Sequence, residues 1–428
     1  MEHIKFNIDI MKDLTPGTIV RLTDGTSVKV KKELGRGGQG VVYLVDYNGK
    51  DMALKWYHNP PPLAFYQNLQ HNVDAGAPSS AFIWPKYLSE MGQYDSYGYV
   101  MDLRSNDYKE FGQYLLAKTK FKSLDAMLAA ALRICEGFQM LHLNGYSYQD
   151  LNDGNFFINP GNGDVLICDN DNVMPQGDRS GILGKARYMA PEVVMGKSSP
   201  DKYSDRFSLS VLLFLLIYAS HPFEGAKVLA CPCLTEKYEK EFYGSKAVFI
   251  YDKHDNSNRP VVGVHTNVIR RWPVFPKELR DMFAKEFSHN NLYNKTLRCI
   301  ESEWRRVFVR VRDQLVICPY CGEETFTETG KCVCCGKLLN LTKIIKIENR
   351  ILDITPKTLL YIDNDNNPDG EVVIYNNALW VKNLTPFKWH VETPSGQIKV
   401  VEPGGLLPAK PGLKVSFGSQ VRGAVELK

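Results

Sequence analysis

Gly35-Arg36-Gly37-Gly38-Gln39-Gly40-Val41-Val42-Tyr43-Leu44 spaces its glycines as G-x-G-x-x-G and then runs on without a break into apolar residues. When this pattern opens a helix it marks a dinucleotide fold. Here Val41 to Leu44 continue as a strand, so the glycines sit at the tip of a hairpin. Residues without side chains let backbone N–H groups approach the phosphates of a nucleotide. A plain Gly-rich hairpin fits the loop equally well, so the decision rests on what surrounds it. Upstream and downstream, residues 19–56 alternate apolar and polar positions around turns at Asp24-Gly25 and Asn48-Gly49, which predicts consecutive hairpins.

Working outward, Met52-Ala53-Leu54-Lys55 has the V-A-I-K form of a strand that aims a lysine at α- and β-phosphates. Tyr148-Gln149-Asp150-Leu151-Asn152-Asp153-Gly154-Asn155 keeps the Asp and the Asn of H-R-D-x-x-x-x-N. In that pattern Asp150 orients the attacking hydroxyl and accepts its proton, and Asn155 holds Mg²⁺. Asp169 ends the apolar run 165–168 where a second metal-binding carboxylate belongs, Mg²⁺ requiring hard oxygen ligands. Arg187-Tyr188-Met189-Ala190-Pro191-Glu192 carries an A-P-E element, and Ser204 to Leu209 open an apolar helix. A strand lysine alone is usually solvated, and an Asn/Asp run such as 169–172 is usually a turn. Neither explanation accounts for five elements in this order.

Together these residues resemble the protein kinase superfamily over about residues 18–312. The resemblance implies an α+β, bilobal kinase fold spanning 1–314, with a β-rich N-lobe to about 103 and a helical C-lobe from about 104. It implies ATP with Mg²⁺ or Mn²⁺ as cofactors and γ-phosphate transfer to Ser/Thr hydroxyls of a protein substrate. Gly35, Gly37, Gly38 and Gly40 would form the lid, with Val42, Ala53 and Met101 around the adenine and backbone groups near Asp102 and Arg104 reading its edge. Lys55, Asp150, Asn155 and Asp169 would be catalytic, the last two on the metal. Asp205 would anchor the catalytic loop, and Glu192 would pair with a buried arginine, for which Arg298 is the candidate. More narrowly, Phe82-Ile83-Trp84-Pro85 and Glu303-Trp304 ahead of a Cys-Pro-x-Cys-Gly ribbon resemble bacterial kinases of tellurite-resistance-type stress operons. That resemblance implies a von Willebrand-type metal-binding protein and a metal-dependent phosphatase as partners.

Several positions depart from the family pattern. Tyr148-Gln149 replaces His-Arg, which removes the arginine that would read a phosphate on the activation segment. Ser180 nevertheless offers a hydroxyl there for autophosphorylation. Asn170-Asp171 replaces Phe-Gly after Asp169, and Asn152 replaces a lysine whose charge Lys185 could supply. The helix expected over 63–74 offers Gln67, Asn68, Gln70 and His71 but no glutamate for Lys55, so either a polar residue substitutes or the helix sits differently. The competing reading is a nucleotide-binding pseudokinase acting as a scaffold. Against it, Lys55, Asp150, Asn155 and Asp169 are all present, and a scaffold has no chemical use for Asp150.

Helical periodicity covers 123–143, 205–219 and 276–313, while 226–276 reads as a long irregular connection. Cys318-x-x-Cys321-Gly and Cys332-x-x-Cys335-Gly, within 315–340, have the spacing of two knuckles that share one structural Zn²⁺. Cys334 could replace a ligand or stay free. The tail 341–428 predicts a small all-β, sandwich-like interaction module with strands at 359–363, 371–381, 387–392, 398–402 and 413–417. It resembles a forkhead-associated-like domain, without a matched arginine and serine for phosphothreonine. With 44% hydrophobic residues, 23% charged residues and a net charge of +4, the chain reads as globular. No strongly basic run points to nucleic acid. The longest apolar run, 211–219, falls short of the roughly 20 residues of a membrane span. Lys5, Asp9 and Lys12 interrupt the start in a way a signal peptide does not tolerate, which together with paired Cys-x-x-Cys motifs predicts a cytoplasmic protein.

Overall fold

The computed structural model describes residues 13–178, 181, 184–362, 366–418 and 421–427. Ser180 and the residues interrupting the first twelve positions lie outside the described residues. The N-lobe is a six-stranded antiparallel sheet in the order β1-β2-β3-β4-β6-β5, where β1 is Ile19–Arg21, β2 Ser27–Arg36, β3 Gly40–Tyr47, β4 Lys50–Tyr57, β5 Tyr87–Leu88 and β6 Gly98–Asp102. Strand periodicity decides which residues see the nucleotide cleft, because successive side chains point to opposite faces. On β3 and β4, Val41, Tyr43, Val45, Met52, Leu54 and Trp56 form the outer core. Val42 and Ala53 join Tyr57 and Met101 in a second apolar cluster on the other face, and Lys55 shares that face. Gly40 must be glycine for packing, since a Cβ there would lie 2.2 Å from the Trp56 carbonyl oxygen.

Helix α1 (Leu63–Ala75) follows, and Phe82-Ile83 then run beside the strand Val165–Ile167, with Ile83 N–H donating to the Ile167 carbonyl at 2.8 Å. Trp84 donates its indole N–H to the Asn72 carbonyl at 2.7 Å, tying this segment to α1. The C-lobe is built on α2 (Phe111–Leu115), α3 (Leu124–Leu143), α4 (Pro191–Val194) and α5 (Lys202–Tyr218). Helix α5 starts on a capping box, Asp201 accepting from Ser204 N–H while Ser204 Oγ accepts from Asp201 N–H, and it is buried from Phe207 to Tyr218. The 226–276 connection is more ordered than its sequence suggests. It holds short helices at Ala226–Leu229, Glu236–Glu239 and Thr266–Arg271 and a π-helical turn at Lys240–Ser245. Each is shorter than the window over which helical periodicity is read. Among the described residues no helix is long and apolar enough to cross a membrane.

The C-lobe ends on helix Glu301–Asp313, and the cysteine ribbon begins one residue beyond it. Two sheets of six and four strands make the C-terminal module, packed around Trp389, Phe417, Val372 and Leu407. The 371–381 stretch is two strands, Gly370–Tyr375 and Ala378–Asn383. Asn376 and Asn377 turn between them at φ 48° and 55°, a two-residue hairpin with both centres left-handed. The module is fastened to the C-lobe by Arg350, which holds Asp313 at 2.7 and 2.9 Å, and by Tyr361, whose hydroxyl donates to Asp125 at 2.7 Å. The guanidinium of Arg312 lies 3.7 Å from the centre of the Tyr361 ring.

Candidate active site

Lys55 is buried, and its Nζ lies 3.2 Å from Asp169 Oδ1, 2.8 Å from Asp171 Oδ2 and 3.2 Å from Gln39 Oε1. Burial alone would lower the ammonium's pKa, but Asp171 and Asp169 more than reverse this and push it up to about 12. The tip of the glycine loop closes over the lysine through Gln39. The loop keeps its own turn, with Gly37 N–H donating to the Gly40 carbonyl at 2.9 Å. Asp169 takes a left-handed backbone, φ 52°, which Asp tolerates better than most residues.

Across the cleft, Asn155 donates its amide to the Asp150 carbonyl at 2.9 Å, which leaves its side-chain oxygen available to a cation. Cys168 N–H donates to the Asn155 carbonyl at 2.8 Å, so the stretches carrying Asn155 and Asp169 are hydrogen-bonded together. The side-chain oxygens of Asn155 and the half-exposed Asp169 are of the hard type that Mg²⁺ requires, so the two residues fit a Mg²⁺ site. Asn152 donates to Asp150 Oδ1 at 3.1 Å and caps the following turn through Gly154 N–H. Burial raises the pKa of the Asp150 carboxyl from its ordinary value. Lys185 reaches Asp153 Oδ1 at 3.7 Å, placing a cation beside the catalytic loop from which Asn152 removed one.

Asp205, expected as the loop's anchor, accepts from Tyr148 N–H at 2.7 Å and Gln149 N–H at 3.0 Å. Gln149, at φ 68°, turns its amide to the Asp178 carbonyl at 2.8 Å. This neutral tether stands where a phosphate-reading arginine would. Arg298 meets Glu192 in a two-pronged pair at 2.8 and 2.7 Å, as expected.

His142 sits buried between Asp205, at 3.2 Å, and Glu301, at 2.8 Å, with Arg206 on the same glutamate at 2.9 Å. Burial by itself would lower the imidazole's pKa, but hydrogen bonds to Asp205 and Glu301 reverse that and push it up to about 9. A folded value above the ordinary 6.5 means that this stabilisation is fully present below about pH 6.5 and is lost as pH rises through about 9. Thermal unfolding midpoints should therefore fall across that window in the wild type and change less in His142→Gln. Parallel curves for the two proteins would refute this role.

The residues expected around adenine, Ala53 and Met101, cluster with Val42 and Cys168 packed against them. The Asp102 carboxylate pairs with Lys86, at 2.5 Å, and Lys50, at 3.3 Å. Arg104 lays its guanidinium 4.0 Å from the centre of the Phe157 ring. Phe157, two residues past Asn155, was not picked out from the sequence. Nor was Asp171, which reads there only as a missing glycine.

The two Cys-x-x-Cys turns bring four thiols together: the Sγ atoms of Cys318, Cys321, Cys332 and Cys335 lie within 4.8 Å of one another. Cys318–Cys335 and Cys321–Cys332 are separated by 3.8 and 3.7 Å. A tetrahedron with Zn–S of about 2.3 Å has edges of about 3.8 Å, so the set fits a closed structural zinc site. Backbone N–H groups of Cys334 and Cys335 face Cys332 Sγ at 3.4 and 3.5 Å, and Cys334 is exposed outside the cluster.

The protein kinase domain family model matches residues 28–235. Protein kinase C delta type of Mus musculus is 29% identical over 208 residues, which cover 46% of this chain and 30% of that protein. The serine/threonine-protein kinase Pkn1 of Myxococcus xanthus is 28% identical over 218 residues, 48% of this chain and 30% of Pkn1. The protein kinase YegI of Escherichia coli K12 is 26% identical over 225 residues, 48% of this chain and 34% of YegI. The chain thus spans about a third of the length of these curated relatives. Residues 28–235, where Lys55, Asp150, Asn155 and Asp169 come together, thus carry a protein kinase domain similar to those of the bacterial relatives.

Proposed function

We propose that this chain is an active ATP- and Mg²⁺-dependent protein kinase that transfers the γ-phosphate to Ser/Thr hydroxyls of a protein substrate. The observation that carries the reading is Asp150, held by Asn152 and Asn155 beside the metal-binding residues and raised in pKa by burial. The substrate hydroxyl gives its proton to Asp150 as its oxygen bonds to the γ-phosphorus, and the bond from that phosphorus to the bridging oxygen breaks to leave ADP. Lys55 holds the α- and β-phosphates, and the glycine loop 35–40 covers them. Asn155 and Asp169 would hold Mg²⁺, which would supply neutralisation of the phosphate charge.

Among the described residues, those flanking the middle of the activation segment are held without phosphate. Arg187 holds Glu224 at 2.6 and 3.0 Å, Tyr243 donates to the same glutamate at 2.7 Å, and Gln149 holds the Asp178 carbonyl. This favours a site active as synthesised over one switched by loop phosphorylation. The scaffold reading remains the alternative, and it predicts nucleotide binding alone. Ser/Thr specificity follows the names of the relatives. Phosphoamino-acid analysis of the product tests it, with phosphotyrosine as the contrary result. The narrower resemblance adds a bacterial stress role in the cytoplasm, with a von Willebrand-type metal-binding protein and a metal-dependent phosphatase as partners to assay by co-purification.

A further inference from the structure

Lys55 is a buried ammonium on a flexible four-carbon stem, and it needs a fixed anion to hold it on a nucleotide. In a kinase N-lobe that anion is expected from the helix after the lysine strand. Helix α1 offers none. Its one carboxylate, Asp74, is exposed and accepts from Gln70 at 2.9 Å. Its buried polar residues, Asn68 and Asn72, both donate to the Val173 carbonyl, at 2.9 and 3.1 Å. Leu69 packs into the apolar cluster with Tyr57 and Tyr99.

The anion comes instead from the segment that carries the metal-binding aspartate. Asp171 is fully buried, with Oδ2 2.8 Å from Lys55 Nζ and 2.6 Å from the Tyr57 hydroxyl, which donates to it. Its Oδ1 is buried with no hydrogen-bond partner among the described residues. A buried ion pair with one oxygen unsatisfied contributes little to stability compared with an apolar pair of similar size. Its use must therefore be sought in what it positions.

We propose that Asp171 is a positioning residue that holds Lys55 on the α- and β-phosphates from the metal-loop side, replacing a carboxylate that α1 lacks. Asp169, which shares the lysine at 3.2 Å, can then turn to the metal without leaving Lys55 unpaired. The lysine is held by Asp169 and Asp171 of the 169–173 loop, and α1 is coupled to that loop through its Asn68 and Asn72 amides on the Val173 carbonyl. The inference rests on the kinase reading above.

The test compares wild type, Asp171→Asn and Tyr57→Phe by MgADP binding, γ-phosphate transfer and thermal midpoint. Asp171→Asn keeps the shape and removes the charge. It should weaken MgADP by about tenfold, the cost of losing a charge-assisted contact, and lower transfer by about a hundredfold through misplaced Lys55, with little change in thermal midpoint. Tyr57→Phe keeps the ring and removes one of the two donors to Asp171, so transfer should fall by about fivefold. Binding and transfer both within twofold of wild type in Asp171→Asn would overturn the proposal. Should that variant fail to fold, Tyr57→Phe decides: transfer within twofold of wild type overturns it, and a loss of about fivefold supports it. If wild type binds MgADP without transferring phosphate, the kinase reading fails, and the MgADP affinities still judge Asp171.

Discussion

Cys332→Ser, or metal stripping by a strong chelator, should lower the thermal midpoint of the whole chain by roughly 10 °C, because metal binding and folding are one event in a ribbon this small. The ribbon's own apolar cluster amounts to Val316, Cys318, Cys332 and Leu339. Without metal, that is too little to hold two knuckles together. The loss should spread, because the ribbon is built into the kinase. Glu324 accepts hydrogen bonds from the Leu124 and Asp125 N–H groups, capping the central helix α3, and Phe326 lies in the C-lobe core against Phe275 at 5.1 Å between ring centres. Elemental analysis of protein purified without chelator should find about one zinc per chain. A metal-free protein with an unchanged midpoint after chelation would rule out the zinc site.

Asp150→Ala should lower phosphate transfer by about a thousandfold, within the range general-base catalysis supplies, while leaving the fold and nucleotide binding nearly unchanged. The geometry explains why the two effects separate. The Asp150 carboxylate is held by Asn152, two residues on in the same loop, whereas Lys55 pairs with Asp169 and Asp171 and Asp205 with the Tyr148 and Gln149 N–H groups. The loop's own position depends on Asp205 and on Asn155, which grips the Asp150 carbonyl that the alanine variant keeps. Thermal midpoints and MgADP affinities of the two proteins should therefore agree. A collapse in both would mean that Asp150 serves the loop's structure, and the activity loss would then say nothing about its role as base.

The sequence made the strand residues of the cleft legible because a period of two sorts Val42, Ala53 and Lys55 onto one face. It also made legible the pairs that follow from fixed spacing, Asp205 with the catalytic loop and Glu192 with Arg298. What spacing cannot show is which side chain turns toward which across the cleft. The lysine's partner was sought on α1, from the helix's position in the chain, and is instead Asp171, 116 positions from Lys55. Phe157 was hidden for a related reason, an aromatic in a short strand reading as core until Arg104 is seen lying on its face. In the tail, Asn376-Asn377 passed as part of a single strand because both neighbours keep the apolar alternation through the turn. Of the short elements in 226–276, the π-helical turn packs on α4 and Thr266–Arg271 puts Val268 in the C-lobe core, contacts that no local period records.

The most direct test of the central claim is transfer of labelled γ-phosphate from ATP by the full chain, to itself and to a generic acceptor protein, beside Asp150→Ala. The account predicts Mg²⁺-dependent incorporation into serine or threonine by wild type and its loss in the variant, with MgADP bound equally by both. Wild type that binds MgADP yet incorporates nothing, into itself or into any acceptor offered, would contradict it and leave a nucleotide-binding scaffold.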